Sequence, residues 1–294
     1  MSAAAAPATT GRTASIGIIL VAGFFFSLTG VLVRVLEAAN GWQVLVFRSL
    51  ALLATVLLFL AIRYRGELVA SFRAIGGFGV GGAIGLAFGT SCYIWALYYT
   101  SVANTVFLFG ALPFINSFNA WWLLGEKVQR FAWVTMAIAL AGIVVMVQGA
   151  VLEGSVIGNV VAIAGLLGYS SYTMSVRRNK GIDMMPALCV SAAVTAAFAL
   201  VMAGTRPISG YDTMVCVAMG VFSVGFGYML YTWGARRVRA GELSLLANVE
   251  IILGPLWAWL AVAEVPSVWT MAGGAVLGFA IAVQAFLTFR DKTG

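Results

Sequence analysis

Ten apolar runs, each about as long as a bilayer-crossing helix, follow one another along the chain with short connections between them. They fall near residues 16–35, 43–62, 75–98, 103–124, 131–148, 157–174, 185–203, 213–233, 243–263 and 268–289. Hydrocarbon offers no water to backbone N–H and C=O groups, so a run of roughly 20 apolar residues crosses it as a helix that bonds its own backbone. The expectation is an all-α integral membrane protein with ten transmembrane helices. The chain is 9 % charged, against about 25 % in a soluble domain, so it lacks the polar surface that water would require. Residues 1–15 are small and polar with a single Arg12, so the first run reads as an uncleaved helix rather than a secretion signal.

A second pattern divides the ten runs into two sets of five. Phe88 to Glu126 reappears without a gap as Phe226 to Glu264. The matching positions are Phe88/Phe226, Gly89/Gly227, Tyr93/Tyr231, Trp95/Trp233, Leu108/Leu246, Ala120/Ala258, Trp121/Trp259 and Glu126/Glu264, with Gly82/Gly220 upstream. The expected halves are residues 1–150 and 151–294, together one membrane domain. Each half holds an odd number of helices, so the second crosses upside down relative to the first. Two inverted repeats give two nearly equivalent packings, one open to each side, as alternating access requires.

The basic residues set the orientation. Arg12, Arg63, Arg65, Arg73, Lys127, Arg130, Arg177, Arg178, Lys180, Arg236, Arg237, Arg239, Arg290 and Lys292 all fall on the side of the N-terminus. The opposite loops hold Arg206, while Arg34 and Arg48 lie within or at the ends of the first two helices. By the positive-inside bias both termini face the cytoplasm, in the plasma (bacterial inner) membrane. The same distribution accounts for the net charge of +7 without a nucleic-acid partner. The Arg236, Arg237, Arg239 loop reads as an anchor to anionic membrane lipid.

Several function classes drop out. There is no histidine, which removes the commonest general base, proton relay and metal ligand together. The three cysteines, Cys92, Cys189 and Cys216, stand apart without metal-ligand spacing and read as buried apolar side chains. A literal GxGxxG at Gly77, Gly79 and Gly82 lacks the strand that a dinucleotide site needs, and no Walker-type phosphate loop is present. We expect no catalytic residue, metal or cofactor.

The motifs resemble those of the drug/metabolite transporter superfamily, in its ten-helix EamA-type branch. Phe47-Arg48 is similar to that family's apolar-arginine signature in the second helix. Pro113 through Gly125-Glu126, and Glu250 through Gly254-Pro255 to Glu264, resemble its paired stretches in the fourth and ninth helices, with Ile251 where the family often has proline. The resemblance implies a secondary transporter of small organic metabolites, an exporter of amino acids or related compounds. Lipid-linked cargo, drug or cation efflux, and remotely a membrane-embedded enzyme, are the alternatives. Ten helices can enclose a pathway alone, so a monomer suffices.

Within the spans, Glu250 and Arg48 are the deeply placed charges. At 1.5 Å per residue Glu250 lies roughly 10 Å from the N-terminal side and Arg48 roughly 8 Å from the other. Their depths therefore differ too much for a direct ion pair. Glu250 reads either as a proton or substrate-amine site or as a structural carboxylate. Arg48 reads as a substrate-carboxylate site or as a snorkelling side chain. Tyr93, Trp95, Asn116, Asn119, Tyr231 and Asn248 complete the expected substrate-binding set, as ring walls and amide contacts of a central cavity. For Trp95 an interfacial belt is the competing role, and for the asparagines interhelical bonding. Gly77, Gly81, Gly85 and Gly89 form a ridge for close helix packing. Glu126 and Glu264 read as solvated helix ends or gate edges. A fluorescent-protein fusion at the C-terminus should fluoresce and a phosphatase fusion there should stay inactive; the reverse pair of signals would invert the topology.

Overall fold

The computed structural model describes residues 8–125, 130–153, 156–179, 181–204, 207–235 and 249–290. Apart from short connections these form helices: α1 (Ala8–Arg34), α2 (Gly41–Tyr64), α3 (Leu68–Ala74), α4 (Gly76–Tyr99), α5 (Val102–Phe109), α6 (Leu112–Leu124), α7 (Arg130–Glu153), α8 (Val156–Arg178), α9 (Met185–Ala203), α10 (Gly210–Ala218), α11 (Gly227–Ala235), α12 (Val249–Val262) and α13 (Val268–Arg290). Eight stretches are long and apolar enough to cross a membrane, and Val249–Val262 and Val268–Gln284 are shorter apolar helices. The protein is an all-helical, multi-pass membrane protein.

Among the described residues, two spans depart from continuous α-helix. The fourth breaks between α5 and α6, at Gly110 and Ala111. Pro113 sits in the first turn of α6, where its missing N–H leaves the Phe109 carbonyl without its i+4 donor. The eighth span widens into a π-helix, Met219–Phe226, between α10 and α11; such wide turns are frequent at functional sites. Elsewhere the helix starts follow local chemistry. Asn40 caps α2 reciprocally with Gln43, both bonds at 3.0 Å. Ser101 and Ser209 cap α5 and α10 through their hydroxyls, at 3.1 and 3.0 Å.

Helix packing repeats with the halves exchanged. α4 packs on α8, while α11 and the π-helix pack on α1. α4 also packs on α9, while α10 and the π-helix pack on α2. α5 and α6 pack on α8, and α12 packs on α1. The remaining large contacts, α2 on α9, α7 on α13 and α5 on α12, join equivalent spans to each other across the pseudo-two-fold axis. With five spans per half that axis lies in the membrane plane, which is the inverted repeat.

The α4–α8 contact is made by backbone. A β-carbon added at Gly168 would lie 2.5 Å from the Gly85 carbonyl oxygen and 2.7 Å from the Gly89 α-carbon; one at Gly89 would lie 2.9 Å from the Gly165 carbonyl oxygen. The glycine ridge divides accordingly, because Gly77 and Gly81 face open space. Gly168→Val should therefore lower the unfolding midpoint in detergent, by the about 1–3 kcal/mol of an overpacked core. Gly81→Ala should leave it unchanged, and equal effects would remove the contact from its structural role.

Candidate functional site

Arg48, on the inner face of α2, is 3 % exposed. Its Nε and Nη1 have no hydrogen-bond partner, and it forms no ion pair with a described carboxylate. It borders a cavity of about 20 Å³ together with Ser49, Thr90, Tyr169, Ser191, Thr195 and Tyr228, room for about one water. The π-helix closes one wall. Gly220 rests directly on the Arg48 carbonyl, where any β-carbon would overlap it, and the wide turn brings Val224 and Tyr228 to the cavity.

Glu250 occupies the first turn of α12, half-buried. It makes no hydrogen bond or ion pair among the described residues. The helix break faces this region: a β-carbon at Gly110 would lie 2.8 Å from Ile251 Cδ1. Arg48 and Glu250 do not pair with each other. Tyr93, Tyr169 and Tyr228 each lie within electrostatic reach of both charges. Phe109, at the break, binds the cluster together. Its ring meets Tyr93 edge-on at 4.8 Å and Tyr169 edge-on at 5.4 Å, and the Thr90 hydroxyl reaches Tyr169 Oη at 3.4 Å.

Of the residues singled out in the sequence, Arg48, Tyr93 and Glu250 come together here. Asn119 donates from Nδ2 to Ser170 Oγ at 2.8 Å, tying α6 to α8. Asn116, on the same face, has a buried Oδ1 without a partner. Tyr231 is half-buried and within electrostatic reach of Tyr172. Trp95 stands apart from the cluster, packed on Trp42 at 5.1 Å and stacked on Tyr99 at 5.6 Å. Asn248, Glu126 and the Arg236–Arg239 loop lie outside the described residues, as does the side chain of Trp233.

Thr90, Phe109, Tyr169 and Tyr228 were not among the expected binding residues. For two of them a signal existed: Thr90 and Tyr228 each stand two residues after the repeated Phe88 and Phe226, and both line the Arg48 cavity. Tyr169 carried no such mark, since its place follows from the glycine contact of α8 with α4.

On the face opposite the N-terminus one side-chain knot ties helix ends together. Glu264 accepts from Arg34 Nε at 2.5 Å and from the Val102 N–H at 2.6 Å. Arg34 donates onward to the carbonyls of Leu97 and Thr100, both at 2.6 Å. Glu264 is thus no solvated helix end; it clamps α12 to α1, α4 and α5. Beside it Asp212 accepts from the N–H groups of Glu37, Ala38 and Ala39 at 2.9, 3.0 and 2.9 Å, fixing the turn after α1 to α10. On the N-terminal face Asp183 receives Arg63 at 3.1 Å and Tyr64 at 2.7 Å. Among the described residues no cluster of histidine, cysteine or carboxylate side chains could hold a metal ion.

Comparison with known proteins agrees with this architecture. The sequence pattern of the EamA-like transporter family matches residues 13–148 and again residues 156–286. The pseudopaline exporter CntI of Pseudomonas aeruginosa is 22 % identical over 94 % of this chain and 95 % of its own. A probable transport protein of Saccharomyces cerevisiae is 24 % identical over 65 % of this chain and 62 % of its own. A crystal structure with 21 % identity superposes at a TM-score of 0.67, covering 94 % of this chain and 98 % of that one, which establishes the same fold. The matched family and the two named relatives are transporters, not enzymes.

Because no described carboxylate pairs with the buried Arg48 guanidinium, Arg48→Met should raise the unfolding midpoint, by on the order of 1–3 kcal/mol for removing an uncompensated buried charge. A lowered midpoint would mean that the guanidinium is structural.

Proposed function

The chain belongs to the EamA-like transporter family, and from that premise we propose that it exports small zwitterionic metabolites, amino acids or related compounds, by alternating access. The observation that carries this reading is the buried Arg48 guanidinium, whose Nε and Nη1 have no partner, and the Glu250 carboxylate, with Tyr93, Tyr169 and Tyr228 within electrostatic reach of both. A charge near the bilayer centre costs about 2.5–3.5 kcal/mol on insertion scales. A ligand carboxylate at Arg48 and an ammonium at Glu250 would offset both costs at once, with the carbon skeleton against the rings. Asn116, with its free buried Oδ1, offers an amide contact, and Asn248, two residues before Glu250 in the sequence, is the second amide we assign to the substrate. Export, rather than uptake, draws its support from the likeness to the pseudopaline exporter.

In this reading the halves, residues 1–150 and 151–294, rock about the centre in the cell's inner membrane with both termini in the cytoplasm. The Arg34–Glu264 knot holds the far side closed and must part for release. Once the substrate has left, Glu250 takes a proton in its place, coupling export to the proton gradient.

The decisive experiment is thermal unfolding of the purified protein against amino acids, organic acids, amines, sugars and nucleosides. A ligand of the folded state at about 100 times its dissociation constant stabilises by roughly 2.7 kcal/mol. Zwitterions should shift the midpoint, and neither Arg48→Gln nor Glu250→Gln should retain that shift. A response to amines or sugars instead, or one that survives both substitutions, would overturn the assignment. In proteoliposomes Glu250→Gln should lose the dependence of transport on a pH gradient; an intact dependence would exclude coupling through this carboxylate. Glu264→Gln removes a charge-assisted bond of about 1.5–3 kcal/mol, and labelling of a far-side cysteine should rise accordingly.

A further inference from the structure

A second space lies beside the Arg48 cavity and opens sideways rather than to either face. It is a groove of about 580 Å³ between α2, α4, α8 and α9, within the about 300–1,000 Å³ range of small-molecule sites. It runs from Trp42 and Tyr99 at the far face to Ile84 near mid-membrane. Its outer lip is exposed, with Phe88 at 54 % and Phe198 at 56 %, so it faces the lipid of the far leaflet. An apolar groove on a membrane protein would by itself mean nothing more than lipid contact.

Two features of its inner wall say more. The Thr195 hydroxyl and the Trp95 indole N–H both belong to residues lining the groove, and both are buried without a hydrogen-bond partner. Thr195, 3 % exposed, also lines the Arg48 cavity. The wall between the lipid-facing groove and the unpaired guanidinium is therefore one side chain thick. Buried donors without acceptors are costly, and a cation behind them favours an acceptor that is negative.

We propose that this groove binds an anionic amphiphile from the far leaflet. Its chain lies along Phe88, Trp95 and Phe198, and its anionic head rests at Thr195, accepting the hydroxyl within the field of Arg48. The groove needs neither Glu250 nor the far-side knot, so it would hold its ligand even in a transporter whose cargo is not a zwitterion.

Cys92 lines the groove while Cys189 and Cys216 are buried elsewhere, which gives a built-in reporter. The test measures the rate of N-ethylmaleimide labelling of Cys92 in a Cys189→Ser/Cys216→Ser protein, in phosphatidylcholine nanodiscs, with laurate, dodecanol or dodecylamine added. Laurate at ten times its dissociation constant should slow labelling about tenfold, and the neutral and cationic chains should do much less. Arg48→Gln should abolish the selectivity for laurate, and Thr195→Leu should remove protection while laurate-independent labelling persists. Nanodiscs of phosphatidylglycerol distinguish the source: protection without added laurate identifies a bilayer lipid as the ligand, and protection only with laurate identifies a free amphiphile. Equal protection by all three chains, or full laurate protection in both substituted proteins, overturns the proposal.

Discussion

The close approach of α4 and α8 sets the geometry on which the centre of the molecule depends. Backbone meets backbone because Gly85 and Gly89 face Gly165 and Gly168 without β-carbons between them. In lipid, where no hydrophobic force drives helices together, such contacts supply dispersion over a long seam. The seam joins the third span of one half to the sixth, so it is also a joint between the repeats. Next to Gly168, against Gly89, stands Tyr169, which the short separation delivers to Thr90 and to the ring of Phe109. A wider seam would leave the tyrosines apart and the two buried charges without a common wall.

Arg48 and Glu250 are placed against the interest of stability. Among the described residues neither has a counter-charge, and each sits where the bilayer penalises ionisation. The molecule tolerates them by surrounding them with phenols and leaving a little open space. The irregular backbone gathers at the same place. The break at Gly110 abuts Ile251, next to Glu250, and the π-helix lies against Arg48 through Gly220. Helices at membrane depth give up regular bonding only where protein or a cavity surrounds the freed groups, so among the described residues the break, the π-helix and the two charges mark one region from independent directions.

The polar bonds at the far face have a different character. Arg34 and Glu264 are partly exposed, at 23 % and 18 % of the side chain, and their strength lies in the backbone groups they recruit rather than in the ion pair alone. Those groups belong to the ends of α4 and the start of α5, so one carboxylate–guanidinium pair fastens four helix ends. A closure built from a few directional bonds can part as a unit, whereas a closure built from interdigitated side chains would have to repack.

Reading the chain in order reaches the membrane class, the ten spans and the inverted duplication, because hydrophobic run length and the absence of water in lipid leave one backbone solution. It also reaches Arg48 and Glu250, since a charge inside an apolar run is conspicuous. Tyr93 and Tyr231 were visible as repeat partners, but nothing in the linear pattern separated the first, which joins the charge cluster, from Trp95, two residues further on, which turns toward the lateral groove. The division of the glycine ridge, the pairing of Glu264 with Arg34, and the places of Phe109 and Tyr169 in the cluster were decided by tertiary structure alone. The physical reason is the same in each case. Which face of a membrane helix meets lipid and which meets protein is not written in hydrophobicity, because both environments are apolar, and only the packing of ten helices around a two-fold axis distinguishes them.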